Sequence, residues 1–189
     1  MISAEQFTEA AKLLSCEVAA IKAVAEVESG GDGFTVVEGK TLPIILFEPH
    51  IFWRQLKVHG IEPVRNEICY ERWGELPYPK GQKFQYERLN RAIIKNEEAA
   101  LESCSWGKFQ IMGFNYRACG MDTIKEFVAA MYKGEGEHLK AFCNFLKTNR
   151  LDRYLRERKW EAFARGYNGA GYAKNNYHKK LNTAYQKYK

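Results

Sequence analysis

The spacing of apolar residues changes near residue 30, and that change restricts the possible folds more than any other feature of the chain. Upstream, Ile21, Val24 and Ala25 fall on one side of a 100° helical wheel, and Gly30-Gly31 is a stop signal. Downstream, Phe34-Thr35-Val36-Val37 and Leu42-Pro43-Ile44-Ile45-Leu46-Phe47 read as two short strands around the turn Glu38-Gly39-Lys40. Pro43 makes the second an edge or late-starting strand. Elsewhere helical spacing prevails. Ser3 and Gln6 form a capping-box pattern that opens a helix through about Leu14, and Ser15 is placed to cap the next one, about 17–28. Pro49 favours a helix start after Glu48, running to about Val58. Loop signals fill 60–83, and a long helix is predicted from about Phe84 to Ser103. After a Gly-containing turn and apolar run at 105–115, shorter helices are predicted at about 122–132, 136–147, 150–157, 159–166 and 176–188. The predicted fold is therefore mainly α (α+β), a helical domain with one small β-hairpin in the N-terminal third. The length suits a single domain over 1–189, with no repeat or linker dividing it.

Glu28 lies on the same apolar stripe as Ile21, Val24 and Ala25, at the C-terminal end of the helix. Burial penalises its charged form, and the negative end of the helix dipole repels it. Both effects raise the pKa, and a carboxyl that keeps its proton near neutrality suits general acid catalysis of glycosidic cleavage. The alternative is a glutamate fraying at a helix end. Glu26 points to the far side, one turn above Lys22, as a solvated i,i+4 pair.

Two further runs offer polar groups. In Ser105-Trp106-Gly107-Lys108-Phe109-Gln110-Ile111-Met112, Gln110 sits inside an apolar stretch, where a buried amide demands partners. It would bind a sugar N-acetyl or hydroxyl group, or brace backbone in the core. In Tyr167-Asn168-Gly169-Ala170-Gly171-Tyr172, Tyr167 and Asn168 would line a sugar cleft, or form a helix stop with a left-handed Asn. Glu48 is the first choice for a second carboxylate, ahead of Glu38 and Asp32; its other reading is a helix N-terminal cap.

Five cysteines, odd in number and never spaced as CxxC, suggest free thiols rather than a disulfide frame or a zinc site. The four histidines are dispersed, so no metal or other cofactor is expected. The start of the chain has neither the basic opening nor the apolar core of a secretory signal, and no eighteen-residue apolar run spans a membrane. Residues 1–149 carry 18 basic against 20 acidic side chains, whereas 150–189 carry 11 against 3. That basic end points to a polyanionic partner such as an anionic wall polymer, lipid headgroups or nucleic acid, or is a solvated helical face. The recognised nucleic-acid motifs are missing, so nucleic acid is not the expected partner.

In order, the runs resemble the lysozyme-like glycosidases of bacterial cell walls, including goose-type lysozymes and soluble lytic transglycosylases. The resemblance is closer to the N-acetylmuramidase catalytic domain of phage endolysins. It rests on Glu26-Val27-Glu28-Ser29-Gly30-Gly31, Leu46-Phe47-Glu48-Pro49-His50-Ile51-Phe52, Ser105 to Gly113, and Phe163-Ala164-Arg165-Gly166-Tyr167-Asn168-Gly169, and spans about residues 5–188. It implies a lysozyme-like fold and cleavage of the β-1,4 bond between N-acetylmuramic acid and N-acetylglucosamine. Glu28 would be the acid, with Ser29 and Gly30 shaping the turn behind it and Glu26 of the same motif the alternative assignment. Glu48, which leads the second motif, is the first candidate for a second carboxylate, although goose-type relatives work without an obvious one. A lytic transglycosylase, using the same acid to form a ring-closed muramyl product, is the nearest alternative. Resemblance further implies a monomer without room for a separate wall-binding module. Such a lysin accumulates in the host cytoplasm and reaches the wall through a separately encoded pore.

Overall fold

The computed structural model describes residues 1–29, 31–169 and 176–189. Helices α1 (Ala4–Leu14) and α2 (Val18–Glu28) come first, followed by strands β1 (Phe34–Val37), β2 (Lys40–Pro43) and β3 (Ile45–Phe47). Helices α3 (Pro49–Val58), α4 (Gln82–Lys95) and α5 (Glu97–Glu102) lead to strands β4 (Cys104–Trp106) and β5 (Ile111–Met112). Helices α6 (Ile124–Lys133), α7 (Glu135–Thr148), α8 (Asp152–Arg156), α9 (Trp160–Asn168) and α10 (Tyr177–Tyr188) complete the described chain. The mainly helical, α+β reading holds.

The first cap forms as expected. Gln6 N–H donates to the Ser3 hydroxyl at 3.2 Å, and Ser3 N–H donates to the Gln6 amide oxygen at 2.9 Å. Ser15 does not cap α2. It adopts a left-handed conformation (φ 51°) and closes α1, its N–H donating to the Ala11 and Lys12 carbonyls. Glu17 stands at the α2 N-cap without a side-chain cap, its carboxylate held instead by Arg158 at 2.7 Å and the Tyr185 hydroxyl. The long helix expected at 84–103 breaks at Asn96. This residue is extended there, and its side chain accepts from Ala99 N–H at 2.8 Å to start α5.

The hairpin is real, but its predicted second strand divides. Antiparallel β1 and β2 pair from Phe34↔Pro43 to Val37↔Lys40, whereas β3 joins a separate sheet in the order β3-β4-β5. There Ile45 faces Trp106, Phe47 faces Cys104, and Ser105 faces Met112. The core runs through α7, where Leu139, Phe142, Cys143 and Leu146 are buried, and Phe109 stacks on Phe142 at 4.3 Å. Leu181, Ala184 and Tyr185 of α10 are buried, and this helix packs against α2 and α9. The five cysteines are free thiols. Among the described residues no helix is long and apolar enough to cross a membrane.

Candidate active site

Ile21, Val24 and Ala25 are buried, and the stripe they begin ends at Glu28, which is half-buried at the last residue of α2. Burial raises the Glu28 carboxyl from the usual 4.5 to about 7, opposed by a hydrogen bond from Asn168 and the charge of Lys180. Asn168 Nδ2 donates to Glu28 Oε1 at 3.1 Å from the last residue of α9. Tyr167, one residue earlier, stacks on Phe163 at 5.9 Å and meets Phe142 edge-on at 5.6 Å. Its phenol is held well above the ordinary range, first by burial and then by the Glu28 charge. Three of the residues singled out in the sequence are thus brought together: Glu28, Tyr167 and Asn168.

Glu26 lies on the opposite face, exposed. It accepts from Lys187 Nζ at 2.7 Å and from the Tyr188 hydroxyl, and these hydrogen bonds hold its carboxyl below the usual range. The expected Lys22–Glu26 pair does not form. Lys22 Nζ lies 5.7 Å from the ring centres of both Phe7 and Tyr188. Ser29 caps α2, its N–H donating to the Ala25 carbonyl at 3.2 Å, and lines a cavity of about 290 Å³ with Lys22, Lys108 and Glu135. Gly30 lies outside the described residues, as do Ala170, Gly171 and Tyr172 of the third run.

Gln110 has its amide engaged within the protein. Nε2 donates to the Gly107 carbonyl at 2.8 Å and the Ile44 carbonyl at 3.2 Å, while Oε1 accepts from the Ser105 hydroxyl at 2.7 Å. Both amide hydrogens therefore brace backbone where β3 meets the turn between β4 and β5, and none is left for a sugar.

Glu48 makes its polar contacts at the start of α3 rather than with Asn168, the partner of Glu28. It begins α3 without a capping bond; its Oε2 accepts from the Tyr78 hydroxyl and lies 3.4 Å from His50 Nδ1. The loop after α2 joins the opposite end of β3, where Ile44 N–H donates to the Gly33 carbonyl at 2.9 Å. Four extended residues, roughly 13 Å, carry the chain from there to Glu48. Helix α2 packs on α1, α8 and α10, whereas β3 packs on α4 and β4. Of the lesser choices, Asp32 is exposed, and Glu38 is exposed and paired with Lys83 at 2.8 Å.

Sequence reasoning missed the polar cluster of Lys108, Glu135 and His138. Only Glu135 and His138, three apart on one face of α7, carried a local signal. Among the described residues no group of three His, Cys, Asp or Glu side chains is placed to hold a metal.

A helical domain with a small hairpin beyond an acid-bearing helix end, its carboxyl held near neutrality, has the design of a glycoside hydrolase of the lysozyme type. The chain belongs to the N-acetylmuramidase family, whose model matches residues 17–189. It is similar to the endolysin of the Burkholderia phage AP3: the crystal structure of that protein superposes with a TM-score of 0.86, at 38% identity, over 97% of this chain and 69% of that one. No curated protein matches the chain. The protein is a peptidoglycan hydrolase, and the lysozyme-like fold implied by the resemblance is the one found.

Proposed function

We propose that the chain is a single catalytic domain that hydrolyses the β-1,4 bond between N-acetylmuramic acid and N-acetylglucosamine, with Glu28 as general acid. The observation that carries this reading is the half-buried Glu28 carboxyl, raised to about 7 and met by Asn168. Neutral Glu28 gives its proton to the bridging oxygen, and the bond to the muramyl anomeric carbon breaks as positive charge grows on the ring. The carboxylate left behind faces that charge. Water then adds to the anomeric carbon, and the proton it releases restores Glu28, so the net change is one water added across the linkage.

Ser29, Tyr167 and Asn168 shape and line the sugar site in this reading. Gln110 supports it from below by holding the Ile44 and Gly107 carbonyls. Glu48 holds the start of α3, its carboxylate being engaged by the Tyr78 hydroxyl beside His50. The basic end of the chain draws the enzyme, as a monomer, to anionic wall polymer or lipid headgroups rather than to nucleic acid. As a phage lysin it would wait in the host cytoplasm and reach the wall through a separate pore.

The test is digestion of purified peptidoglycan by the wild type and Glu28→Gln, with fragments weighed by mass spectrometry. Hydrolysis gives reducing muramyl ends, whereas ring closure gives products lighter by one water. Glu28→Gln should cut the rate by at least about a hundredfold, the usual scale of acid catalysis. Near wild-type lysis by that variant would remove Glu28 from the reaction.

A further inference from the structure

The segment leaving Glu28 enters β1 through Gly31, Asp32 and Gly33. Gly31 and Gly33 have no side chain to pack, and Gly31 adopts φ 113°, a conformation that residues with side chains rarely adopt. Apolar burial cannot set the position of such a loop; bonds to its backbone can. Two side chains supply them. Lys108 Nζ donates to the Gly31 carbonyl at 2.6 Å, and Gly33 N–H donates to Glu135 Oε1 at 2.7 Å. Lys108 and Glu135 also meet each other, at 3.2 Å, with their side chains 16% and 9% exposed.

His138 locks the other side of this arrangement. It is 1% exposed, accepts Lys108 N–H at Nδ1 (3.1 Å), and donates from Nε2 to the Met131 carbonyl at 2.7 Å. Those partners fix its tautomer. Phe34, first residue of β1, stacks on the ring at 5.1 Å. A Cβ at Gly33 would lie 2.8 Å from His138 Nδ1, and one at Gly107 2.7 Å from the same atom. The imidazole thus fills the gap between the loop after α2 and the turn after β4, and both glycines are needed to admit it.

We propose that Lys108, Glu135 and His138 form a clamp that sets where Glu28 stands against the glycosidic oxygen. They are positioning residues: Lys108 and Glu135 reach Gly31 and Gly33, and His138 ties the 107–108 turn to the Met131 carbonyl, while Glu135 Oε2 also lies 3.5 Å from the N-terminal amine. The inference rests on Glu28 being the acid. A group held in attack geometry gains much of its rate from placement, so a small displacement at Glu28 lowers turnover without weakening binding.

The test is Lys108→Met, which keeps the stem and the backbone N–H to His138 but loses the bridge to Gly31. Glu135→Gln is the near-isosteric second variant, should the first fail to fold. Steady-state rates on soluble peptidoglycan fragments should show kcat lowered roughly ten- to hundredfold. KM should stay within about twofold, and the basic limb of the pH–rate profile should stay in place, because Lys108 does not tune the Glu28 proton. A purely structural pair would lower the melting temperature and leave kcat at 25 °C within twofold of wild type; that result overturns the clamp. A displaced basic limb overturns it too, since Lys108 would then act on Glu28 by charge. Glu28→Gln, run in parallel, separates the two ideas: if it stays active the acid assignment fails, and if it is inactive while Lys108→Met is not, the clamp alone fails.

Discussion

Replacing Glu28 with glutamine tests the central assignment without any substrate. The native carboxyl titrates near 7 instead of 4.5, so between those values the folded protein holds a proton that the unfolded chain releases. The native state is then the stronger proton binder, and stability falls as pH rises. Glu28's contribution is fully present below pH 4.5 and lost as pH climbs through about 7. At about 1.4 kcal/mol per pH unit, the interval amounts to about 3 kcal/mol. Glutamine keeps the shape and an oxygen for Asn168 Nδ2, yet never ionises. Wild type and Glu28→Gln should therefore unfold alike at pH 4 and diverge by about 3 kcal/mol at pH 8, the variant being more stable. For a chain of this size that corresponds to roughly 6–12 °C in melting temperature. Thermal denaturation followed by circular dichroism across pH 4–8 measures the gap directly. Parallel curves would refute the reasoning, because they would mean that the carboxyl titrates as it does in water and has no proton to hold for catalysis.

Asn168→Ala removes a hydrogen bond that favours charged Glu28, so its pKa rises further and the basic limb of activity should move to higher pH. Lys180→Met should move it the same way, with an effect that fades as salt is added; a limb that stays or moves down in both variants contradicts the tuning. Gln110→Ala removes the amide's bonds to the Ile44 and Gly107 carbonyls, each of which keeps a backbone donor, and leaves the Ser105 hydroxyl without its acceptor; it should cost about 1–3 kcal/mol in urea unfolding. A change within experimental error would mean that those groups find water instead. Raising ionic strength should weaken sedimentation with whole walls before it slows cleavage of soluble fragments, if the basic end of the chain contributes to attachment. Equal salt sensitivity of the two would reduce that end to packing.

Features carried by neighbouring residues were readable in the sequence. Ser3 and Gln6 cap each other across one turn, and Glu28 joins Ile21, Val24 and Ala25 on a face that geometry alone defines. Errors arose where one residue type serves two local purposes. Ser15 can cap the next helix or close the last one, and the left-handed turn at 15 chose closure. Asn96 stands amid strong helix formers, yet its side chain captures the Ala99 N–H and starts a new helix. What depends on distant partners left no local trace. The division of β3 from β2 follows from pairing with Cys104–Trp106, about sixty residues onward, and the contact of Lys108 with Gly31 joins two loops that share no spacing. Gln110 was legible as a buried amide in need of partners, but only the fold could say that they are carbonyls.

With Glu28 as the proposed acid, its tuning makes the last helices part of the catalytic design. Burial against the core alone would hold the proton too firmly, and an acid must also release it in the transition state. Two opposing influences arrive from the far end of the chain: the Asn168 amide from the end of α9, 140 residues away, and the charge of Lys180 on α10. Helix α10 buries Leu181, Ala184 and Tyr185 while leaving Lys180 exposed, so one amphipathic segment covers α2 and moderates the acid at its end. Packing and proton affinity are therefore coupled. A substitution at Leu181 that loosens α10 would admit water to Glu28 and remove the Lys180 charge together, and the two losses act on the carboxyl in opposite directions. Because burial is the largest influence on the carboxyl and the Lys180 charge the smallest, stability and the Glu28 pKa would fall together, the pKa toward 4.5, whereas Lys180→Met alone would raise it. A Leu181 variant whose basic limb of activity stayed in place would show that α10 does not keep water from Glu28.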